Sequence, residues 1–359
     1  MKRILALVLA LVFVSALAAC GLIGGSQTGE GFQVDIFWYK FDDPYTTSVR
    51  DAMTGYLDGI TGLTHEHHDC ENDQYKQDEL IDKAISKGTD ILIVNIVDTG
   101  NDAAAMGIVG KAQTAGLPVV FFNREVSDIV VGFYDRCVFV GTEPDEAGYL
   151  QGELLFEIIS RDFDNYDLGG DGNIQYIMFK GQLGNLEADG RTKYSVEKAN
   201  ELFNEAGLGG LVYYDPESSD LFYPCDWDAD KSYAVMSAVL EDFPMDGKNP
   251  IEVVLCNNDA MAEGVIDALN EVGWNLGDDP EKTIPVFGVD ATEQAIELIN
   301  KGKMTGTIKQ DADAMAEGIV RFVKAVNDNA DFLAVLDSFS NVTNKKVRIP
   351  YAKISGASL

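Results

Sequence analysis

Aspartate and asparagine residues recur in this sequence just after short apolar runs, where strands are expected to end. Four of them are Asp43, Asn123, Asn258 and Asp290. Seen alone, each has an ordinary explanation, because these residue types cap helices and start turns. Together with Arg191 they supply carboxylates, amides and a guanidinium, which can each hydrogen-bond to several hydroxyl groups at once.

Two aromatic residues complete an inventory that suits a sugar. Every sugar hydroxyl both donates and accepts hydrogen bonds, and the flat C–H face of a pyranose packs against an aromatic ring. Tyr45 and Trp227 are the candidate rings, one from each half of the chain. Either could instead belong to the core. The combined set predicts a cleft that binds a carbohydrate.

The elements that must position these residues alternate along the chain. Alternation of β-branched runs with amphipathic stretches predicts an α/β fold whose parallel sheets are covered by helices, and such sheets bind ligands at the carboxyl ends of their strands. The predicted strands are Val34–Trp38, Ile91–Ile96, Pro118–Phe122, Val138–Val140, Ile174–Phe179, Gly210–Tyr214, Ile251–Cys256, Pro285–Val289 and Gly306–Ile308. The predicted helices are Tyr75–Lys87, Asn101–Ala115, Glu146–Ser160, Arg191–Ala206, Asp230–Glu241, Asp259–Val272 and Thr292–Asn300.

The amino terminus reads as an export signal, residues 1–19. Lys2 and Arg3 precede an apolar run from Ile4 to Leu17, which is shorter than the roughly 20 residues that span a bilayer. Leu17-Ala18-Ala19-Cys20 resembles a lipobox, which implies cleavage before Cys20 and a lipid on its sulfur; an ordinary cleaved signal is the alternative. Residues 20–32 are glycine-rich and predict a flexible tether, so we expect the protein on the outer face of the cell membrane.

Charge and length narrow the possible functions. The chain has 27 basic and 59 acidic residues, and loss of Lys2 and Arg3 with the signal would change its net charge from −32 to −34. Such a surface repels nucleic acid, which argues against a sugar-responsive transcriptional regulator. The roughly 330 remaining residues suggest two domains of ordinary size.

Cysteine and histidine residues leave alternatives open. Cys70, Cys137, Cys225 and Cys256 could form disulfides or remain buried thiols. All three histidines lie in residues 65–68, where a metal site and a solvated polar run are both conceivable.

Five segments of the sequence resemble the bacterial glucose/galactose-binding proteins, which belong to the type I periplasmic-binding-protein superfamily. The similarity runs from about Val34 to Tyr351. The segments are Tyr39–Asp43, Pro118–Asn123, Asn257–Ala262, Pro285–Asp290 and Val347–Tyr351.

The resemblance implies two Rossmann-like lobes joined by a three-strand hinge, with a monosaccharide bound as the lobes close. It places the amino-terminal lobe in residues 33–141 and 310–343, and the carboxy-terminal lobe in residues 142–309 and 344–359. The hinge strands would lie near Gly141–Glu143, Ile308–Asp311 and Asn341–Lys346.

The resemblance also implies which residues bind the sugar. Seven positions match the family: Asp43, Tyr45, Asn123, Arg191, Trp227, Asn258 and Asp290. Asn185 and Glu187 depart from the family's histidine and aspartate, and Gln310 departs from its asparagine. These side chains keep the ability to hydrogen-bond but change the reach, so glucose or galactose is the first expectation and a pentose such as xylose or arabinose is the alternative.

The segment from Asp167 to Gln175 resembles the family's calcium loop. The resemblance implies that Asp167, Asp171, Asn173 and Gln175 would hold calcium together with a distant carboxylate, Glu252. Calcium prefers six to eight oxygen ligands, and Gly169 removes one of them, so a metal-free structural loop is the alternative.

The function implied is that of a monomeric receptor that delivers a monosaccharide to the membrane subunits of an ABC importer, and it could also serve a chemoreceptor. A glycosidase would also place carboxylates around a sugar, at about 5–10 Å separation. The sequence gives neither Asp43 nor Asp290 the role of an acid, and it contains no G-x-S-x-G, H-E-x-x-H or P-loop motif. We therefore expect a binding protein and not an enzyme.

Overall fold

Strands and helices alternate along most of the chain, as the sequence predicts. The computed structural model describes residues 31–100, 102–247 and 250–356. The strands are β1 (Phe32–Trp38), β2 (Leu63–Asp69), β3 (Ile91–Val94), β4 (Val119–Phe122), β5 (Cys137–Gly141), β6 (Ile174–Lys180), β7 (Leu211–Tyr213), β8 (Tyr223–Pro224), β9 (Val253–Cys256), β10 (Val286–Asp290), β11 (Gly306–Lys309), β12 (Val342–Thr343), β13 (Lys346–Arg348) and β14 (Ala352–Ser355). The helices are α1 (Pro44–Asp58), α2 (Gln74–Lys87), α3 (Asp102–Ala115), α4 (Asp128–Phe133), α5 (Glu146–Ile159), α6 (Phe163–Tyr166), α7 (Leu186–Ala206), α8 (Ala229–Asp242), α9 (Asp259–Glu271), α10 (Glu293–Asn300) and α11 (Ala312–Asn327).

The strands form two sheets, one in each lobe. The amino-terminal lobe has the strand order β12-β13-β5-β4-β3-β1-β2, and the carboxy-terminal lobe has the order β14-β11-β10-β9-β6-β7. The pairs β1–β3, β3–β4, β4–β5 and β5–β13 are parallel, as are β6–β7, β6–β9, β9–β10 and β10–β11. The predicted two-lobed α/β fold is therefore confirmed.

The central strands are apolar along their whole length because helices cover both faces of each sheet. Strands β3, β4 and β9 read ILIV, VVFF and VVLC, and every one of these residues is buried. Polar residues then mark where the helices begin and end. Asp73 caps α2 by accepting from the amides of Tyr75 and Lys76, and Gly88 ends that helix with a left-handed φ of 94°.

The chain passes between the lobes three times. It leaves the first sheet after β5, returns between β11 and α11, and leaves again between Arg348 and Ala352. The last crossing corrects the boundary that we predicted at residue 344. Lys346 pairs with Phe139 of β5, so residues 344–348 belong with the amino-terminal lobe, and only the segment from Ile349 onward reaches the other sheet. A three-residue strand beside a longer one gives little apolar signal in the sequence.

The histidine-rich run forms the edge strand β2 and is not a solvated polar run. His67 Nδ1 accepts from the Trp38 indole at 3.0 Å, and His68 Nε2 lies 2.6 Å from Asp35 Oδ1. Asp35, Glu66 and His68 come within 4.8 Å of one another, as a metal-binding group could. Asp35 and His68 already pair with each other, and Glu66 Oε2 lies 3.6 Å from Lys87, so these contacts account for the group without a metal.

The four cysteines of the described residues, Cys70, Cys137, Cys225 and Cys256, are free and buried. Burial raises the pKa of the Cys70, Cys137 and Cys225 thiols to about 12. The buried-thiol alternative therefore holds for this structure.

The predicted signal, Cys20 and the predicted tether up to residue 30 lie outside the described residues. Among the residues that are described, no helix combines the length and the apolar character needed to cross a membrane.

Candidate functional site

All ten residues predicted to bind the sugar line one cavity between the lobes, at the carboxyl ends of the parallel strands. Asn123 follows β4, Asn258 follows β9 and Asp290 ends β10, while Gln310 stands on the second crossing. The full lining is Tyr39, Asp43, Tyr45, Asn123, Arg124, Asn185, Glu187, Arg191, Trp227, Asn258, Asp290 and Gln310.

Three of the lining residues also cap helices, so at these positions the ordinary capping role and a place in the cavity lining occur together. Asp43 accepts from the Thr46 amide at the start of α1, and Asn258 accepts from the Met261 amide at the start of α9. Asn185 caps α7 through the Ala188 amide, and that helix consequently begins at Leu186, five residues before the predicted start at Arg191. Each cap uses one side-chain oxygen atom; of the other polar atoms, Asp43 Oδ2 accepts from the Tyr39 hydroxyl at 2.7 Å and Asn258 Nδ2 lies 3.5 Å from the Trp227 carbonyl.

Arg191 is fixed in place by groups of the protein itself. It is 4% exposed, and its Nη1 donates to the Asn257 carbonyl at 2.8 Å. Its Nη2 donates to Gln310 Oε1 and to the Tyr351 phenol, each at 3.0 Å. The guanidinium is thus held rigidly, while its Nε is buried and forms no hydrogen bond with the protein. A planar cation held in this way can present a donor to a ligand without first losing conformational freedom.

Asp290 presents a carboxylate that the protein satisfies poorly. Burial raises the pKa of Asp290 well above its usual range, an effect that Arg191 opposes and Asp259 reinforces. Its Oδ1 lies 3.9 Å from Arg191 Nη1, which is beyond hydrogen-bonding distance. The backbone of Asp290 has a φ of 125°, an uncommon value for a residue other than glycine. A side chain that lines the cavity and lies beyond hydrogen-bonding distance of Arg191 could accept from a ligand hydroxyl.

The two candidate stacking rings line the cavity. Tyr45 is 6% exposed, and its hydroxyl reaches only Met315 Sδ, at 3.6 Å. Trp227 has a φ of 65°, and its indole covers Gly181 so closely that a Cβ added there would lie 2.4 Å from the ring. Trp227 also packs against the core of the carboxy-terminal lobe, so the same ring contacts the core and lines the cavity.

Several hydrogen bonds join the lobes around the cavity. Gln310 Nε2 donates to Asn123 Oδ1 at 2.9 Å, and Arg124 Nη2 donates to Gln182 Oε1 at 2.6 Å. Glu187 does not simply extend into the cleft, as its extra methylene suggested. Its Oε1 accepts from the Glu125 amide of the opposite lobe, at 2.8 Å.

Sequence reasoning missed three residues of the site. Tyr39 and Arg124 line the cavity, and Tyr351 supports Arg191 from behind. Tyr39 donates to Asp43 Oδ2 at 2.7 Å, and the Arg124 guanidinium lies 4.3 Å from the Tyr39 ring centre. Tyr39 and Tyr351 fall inside two of the segments that carry the family resemblance, and Arg124 directly follows a third, so position within those segments was the available signal.

The candidate calcium loop brings its carboxylates toward one another. Glu252 accepts from the Gly169 and Gln175 amides through its two oxygens, each at 2.7 Å. Burial and, to a lesser extent, the charges of Asp167 and Asp171 raise the pKa of Glu252 to about 7, against the lowering effect of the Gln175 and Gly169 amides. Gln175 Oε1 is buried without a hydrogen-bond partner. Carboxylate oxygens and an unpartnered amide oxygen are the types of ligand that a hard cation prefers.

The remaining predicted calcium ligand is Asn173, whose backbone N–H donates to Asp171 Oδ1 at 2.9 Å. Asp167 accepts from the amides of Asp171 and Gly172. A calcium ion would therefore have to share or replace hydrogen bonds that these carboxylates already accept.

Comparison with known proteins agrees with the two-lobed fold. Residues 34–330 match the family model described as periplasmic binding protein domain. The chain is 30% identical over 334 residues to a D-galactose/methyl-galactoside binding periplasmic protein of Haemophilus influenzae, covering 91% of this chain and 90% of that protein. It is 25% identical to a rhizopine-binding protein of Rhizobium meliloti described as putative, over 100% of this chain and 98% of that one. A Bacillus halodurans ABC transporter solute binding protein with bound myo-inositol superposes with a TM-score of 0.69 at 26% identity, covering 92% of this chain and 97% of that one.

Proposed function

The chain belongs to the periplasmic binding protein family and is a substrate-binding protein, not an enzyme, and from that premise we propose that it captures a pyranose of the galactose or glucose type and delivers it to an ABC importer. The observation that carries the proposal is that Asp290 Oδ1 lies 3.9 Å from Arg191 Nη1 in a cavity lined from both lobes. The Asp290 side chain can accept from one sugar hydroxyl while the fixed Arg191 guanidinium donates to another.

The mechanism follows from where the binding groups sit. Asp43 and Asn123 reach the cavity from the amino-terminal lobe, and Arg191, Asn258 and Asp290 reach it from the carboxy-terminal lobe. A sugar can touch both sets only when the lobes are closed, so binding shifts the population toward the closed form. The importer would then recognise that form.

Calorimetric titration with galactose, glucose, xylose and arabinose tests the assignment. We expect a hexose to bind most tightly, because the relative from Haemophilus influenzae, at 30% identity, is a galactose binder. Preferential binding of xylose or arabinose would instead assign the pentose alternative. Binding of none of the four would overturn the assignment.

We further propose that the loop holds a structural calcium ion through Asp167, Asp171, Asn173, Gln175 and Glu252. The support is the unpartnered Gln175 oxygen and the raised pKa of Glu252, because a divalent cation would relieve both. Calcium would add charge compensation and cross-link the loop to the segment that carries Glu252.

The location proposed is the outer face of the cell membrane, with a lipid on Cys20, and the protein acts there as a monomer. The support is the lipobox-like sequence Leu17–Cys20. Mass spectrometry of the mature amino terminus tests it, and an unmodified residue other than Cys20 at that terminus would contradict it. The proposal includes recognition by a chemoreceptor, because such a receptor could bind the same closed form.

A further inference from the structure

The two carboxylate oxygens of Glu187 have different surroundings. It stands at the start of α7 in the carboxy-terminal lobe, and its Oε1 accepts from the backbone N–H of Glu125, which follows β4 in the other lobe. Its second oxygen, Oε2, is buried without a hydrogen-bond partner. Since Glu187 also lines the cavity, Oε2 remains as an acceptor for a ligand hydroxyl.

The receiving residue, Glu125, is itself tied to the hinge. Its carboxylate pairs with Arg348 through two hydrogen bonds, from Nη1 at 2.5 Å and from Nη2 at 3.2 Å. Lys346 donates to the same carboxylate at 2.6 Å. Both cations stand on β13, directly before the third crossing, and Arg348 also donates to the Thr142 carbonyl on the first crossing. The Glu125 amide is therefore held in a fixed position relative to two hinge strands.

Reach decides whether Glu187 can form this bond. An aspartate would be shorter by one carbon–carbon bond, about 1.5 Å, which is enough to turn a 2.8 Å contact into no hydrogen bond. A glutamine would keep both the reach and the accepting oxygen. Glu187 and Glu125 are 5% and 7% exposed, so water does not easily replace the bond.

We propose that Glu187 is a positioning residue for lobe closure, in which one carboxylate oxygen binds the ligand and the other holds the opposite lobe through the Glu125 amide. Contact with the ligand and contact between the lobes are thereby made by the same rigid group. The inference rests on the proposed capture of a sugar between closing lobes, and the Glu187–Glu125 bond is a contact between protein groups that closure of the lobes favours.

Hydrogen exchange of the Glu125 amide measures the bond directly. We would record it by NMR, both with saturating sugar and without sugar, on wild type and on the variants Glu187→Asp and Glu187→Gln. The protection of the Glu125 amide should fall about tenfold in Glu187→Asp, the effect of one lost hydrogen bond to a charged acceptor, and should stay within about threefold of wild type in Glu187→Gln. Glu297→Asp, an exposed residue of α10, is the matched control for shortening a glutamate.

A second amide separates loss of the bond from loss of the fold. The Asn123 amide donates to the Val140 carbonyl inside the amino-terminal lobe, so its exchange should be unchanged in every variant. Equal Glu125 protection in wild type and Glu187→Asp overturns the proposal, and so does an equal loss in Glu187→Asp and Glu187→Gln. If wild type bound no sugar in calorimetry, the proposed function would fail, whereas this exchange result would stand on its own.

Discussion

Arg191 donates from Nη2 to the phenol oxygen of Tyr351 at 3.0 Å, although 160 positions of the chain separate the two residues. The same phenol lies 2.8 Å from the Thr142 hydroxyl. Arg191 lines the cavity, Thr142 belongs to the first crossing and Tyr351 to the third. The position of this cavity-lining guanidinium is therefore set by two hinge strands.

Tyr351→Phe should weaken sugar binding without unfolding the protein. The change removes one hydrogen bond to Arg191 and leaves the rest of the ring in place, so we expect a loss of about 1–1.5 kcal/mol, or roughly 5- to 10-fold in affinity. Calorimetry with the best-binding sugar measures it. Tyr56→Phe is the control, because it removes a phenol that donates to Asp313 on the surface. Equal affinity of the two variants would contradict the supporting role of Tyr351.

Arg191→Ala should abolish binding at ordinary sugar concentrations. The guanidinium holds Gln310, Tyr351 and the Asn257 carbonyl and also faces Asp290, so we expect a loss of about 2–4 kcal/mol, or roughly 30- to 1000-fold in affinity. Arg321→Ala removes an exposed arginine that pairs with Glu317 and should leave affinity unchanged. A titration of Arg191→Ala that resembles wild type would remove this residue from the site.

Gly181→Ala should lower affinity by displacing Trp227. The added methyl group would lie 2.4 Å from the indole, so the ring must move, and overpacking of this kind costs about 1–3 kcal/mol. Indole fluorescence and calorimetry together report the displaced ring and the weaker binding. Gly107→Ala provides the comparison, since nothing lies within 4 Å of its added Cβ. Unchanged fluorescence and affinity in Gly181→Ala would contradict the predicted displacement of Trp227.

Chelation should lower the melting temperature if the loop binds calcium, because an ion that binds only the folded state stabilises it by mass action. Glu252→Gln should abolish this response, since it removes the carboxylate whose two oxygens accept from Gly169 and Gln175. Glu271→Gln, at the end of α9, serves as the control for removing a glutamate charge. Identical wild-type melting curves with chelator and with added calcium would favour the metal-free loop.

Ionisation of the Asp259 carboxyl group should lower the free energy of unfolding as pH rises toward neutrality. Burial raises the pKa of Asp259 from its usual 3.8 to about 7, while hydrogen bonds from Thr307 and the Thr292 amide oppose the shift. Because the folded state holds the proton more tightly than the unfolded state, the stabilisation is complete below about pH 3.8 and is lost as pH rises through about 7. Asp259→Asn should flatten this part of the curve of unfolding free energy against pH. The same slope in both proteins would contradict the assignment.

Much of the fold could be predicted because its central strands are apolar throughout. Strands such as β3 and β4 are buried on both faces, and burial leaves a clear signal in the sequence. Edge strand β2 carries three histidines and only a partly buried face, so its sequence reads as a polar run. Strand β13 was not predicted, because its three residues are too few to show an alternation of apolar and polar side chains. It is a strand because it pairs with β5.

The cavity lining could be predicted from residue types, but the partners of each group could not. Position after a strand indicated where Asn123 and Asp290 would lie, because the carboxyl ends of parallel strands meet at one edge. Nothing local in the sequence states that the Glu125 amide would meet Glu187, since that contact depends on how the two lobes come together. Tyr351 was missed for the same reason, because its role exists only through Arg191.

The three helix caps in the cavity bear on how this protein could be redesigned or could diverge toward other ligands. Replacing Asp43, Asn185 or Asn258 by a residue that cannot cap would cost about 0.5–2 kcal/mol of stability whatever the new ligand gained. Tyr45 carries no cap, but it is buried, so a smaller residue there would leave a destabilising cavity. A library aimed at a new specificity would therefore leave the three caps unchanged and replace Tyr45 only by residues of similar size. A substitution at any of these three positions therefore changes the cavity lining and the stability of a helix at the same time.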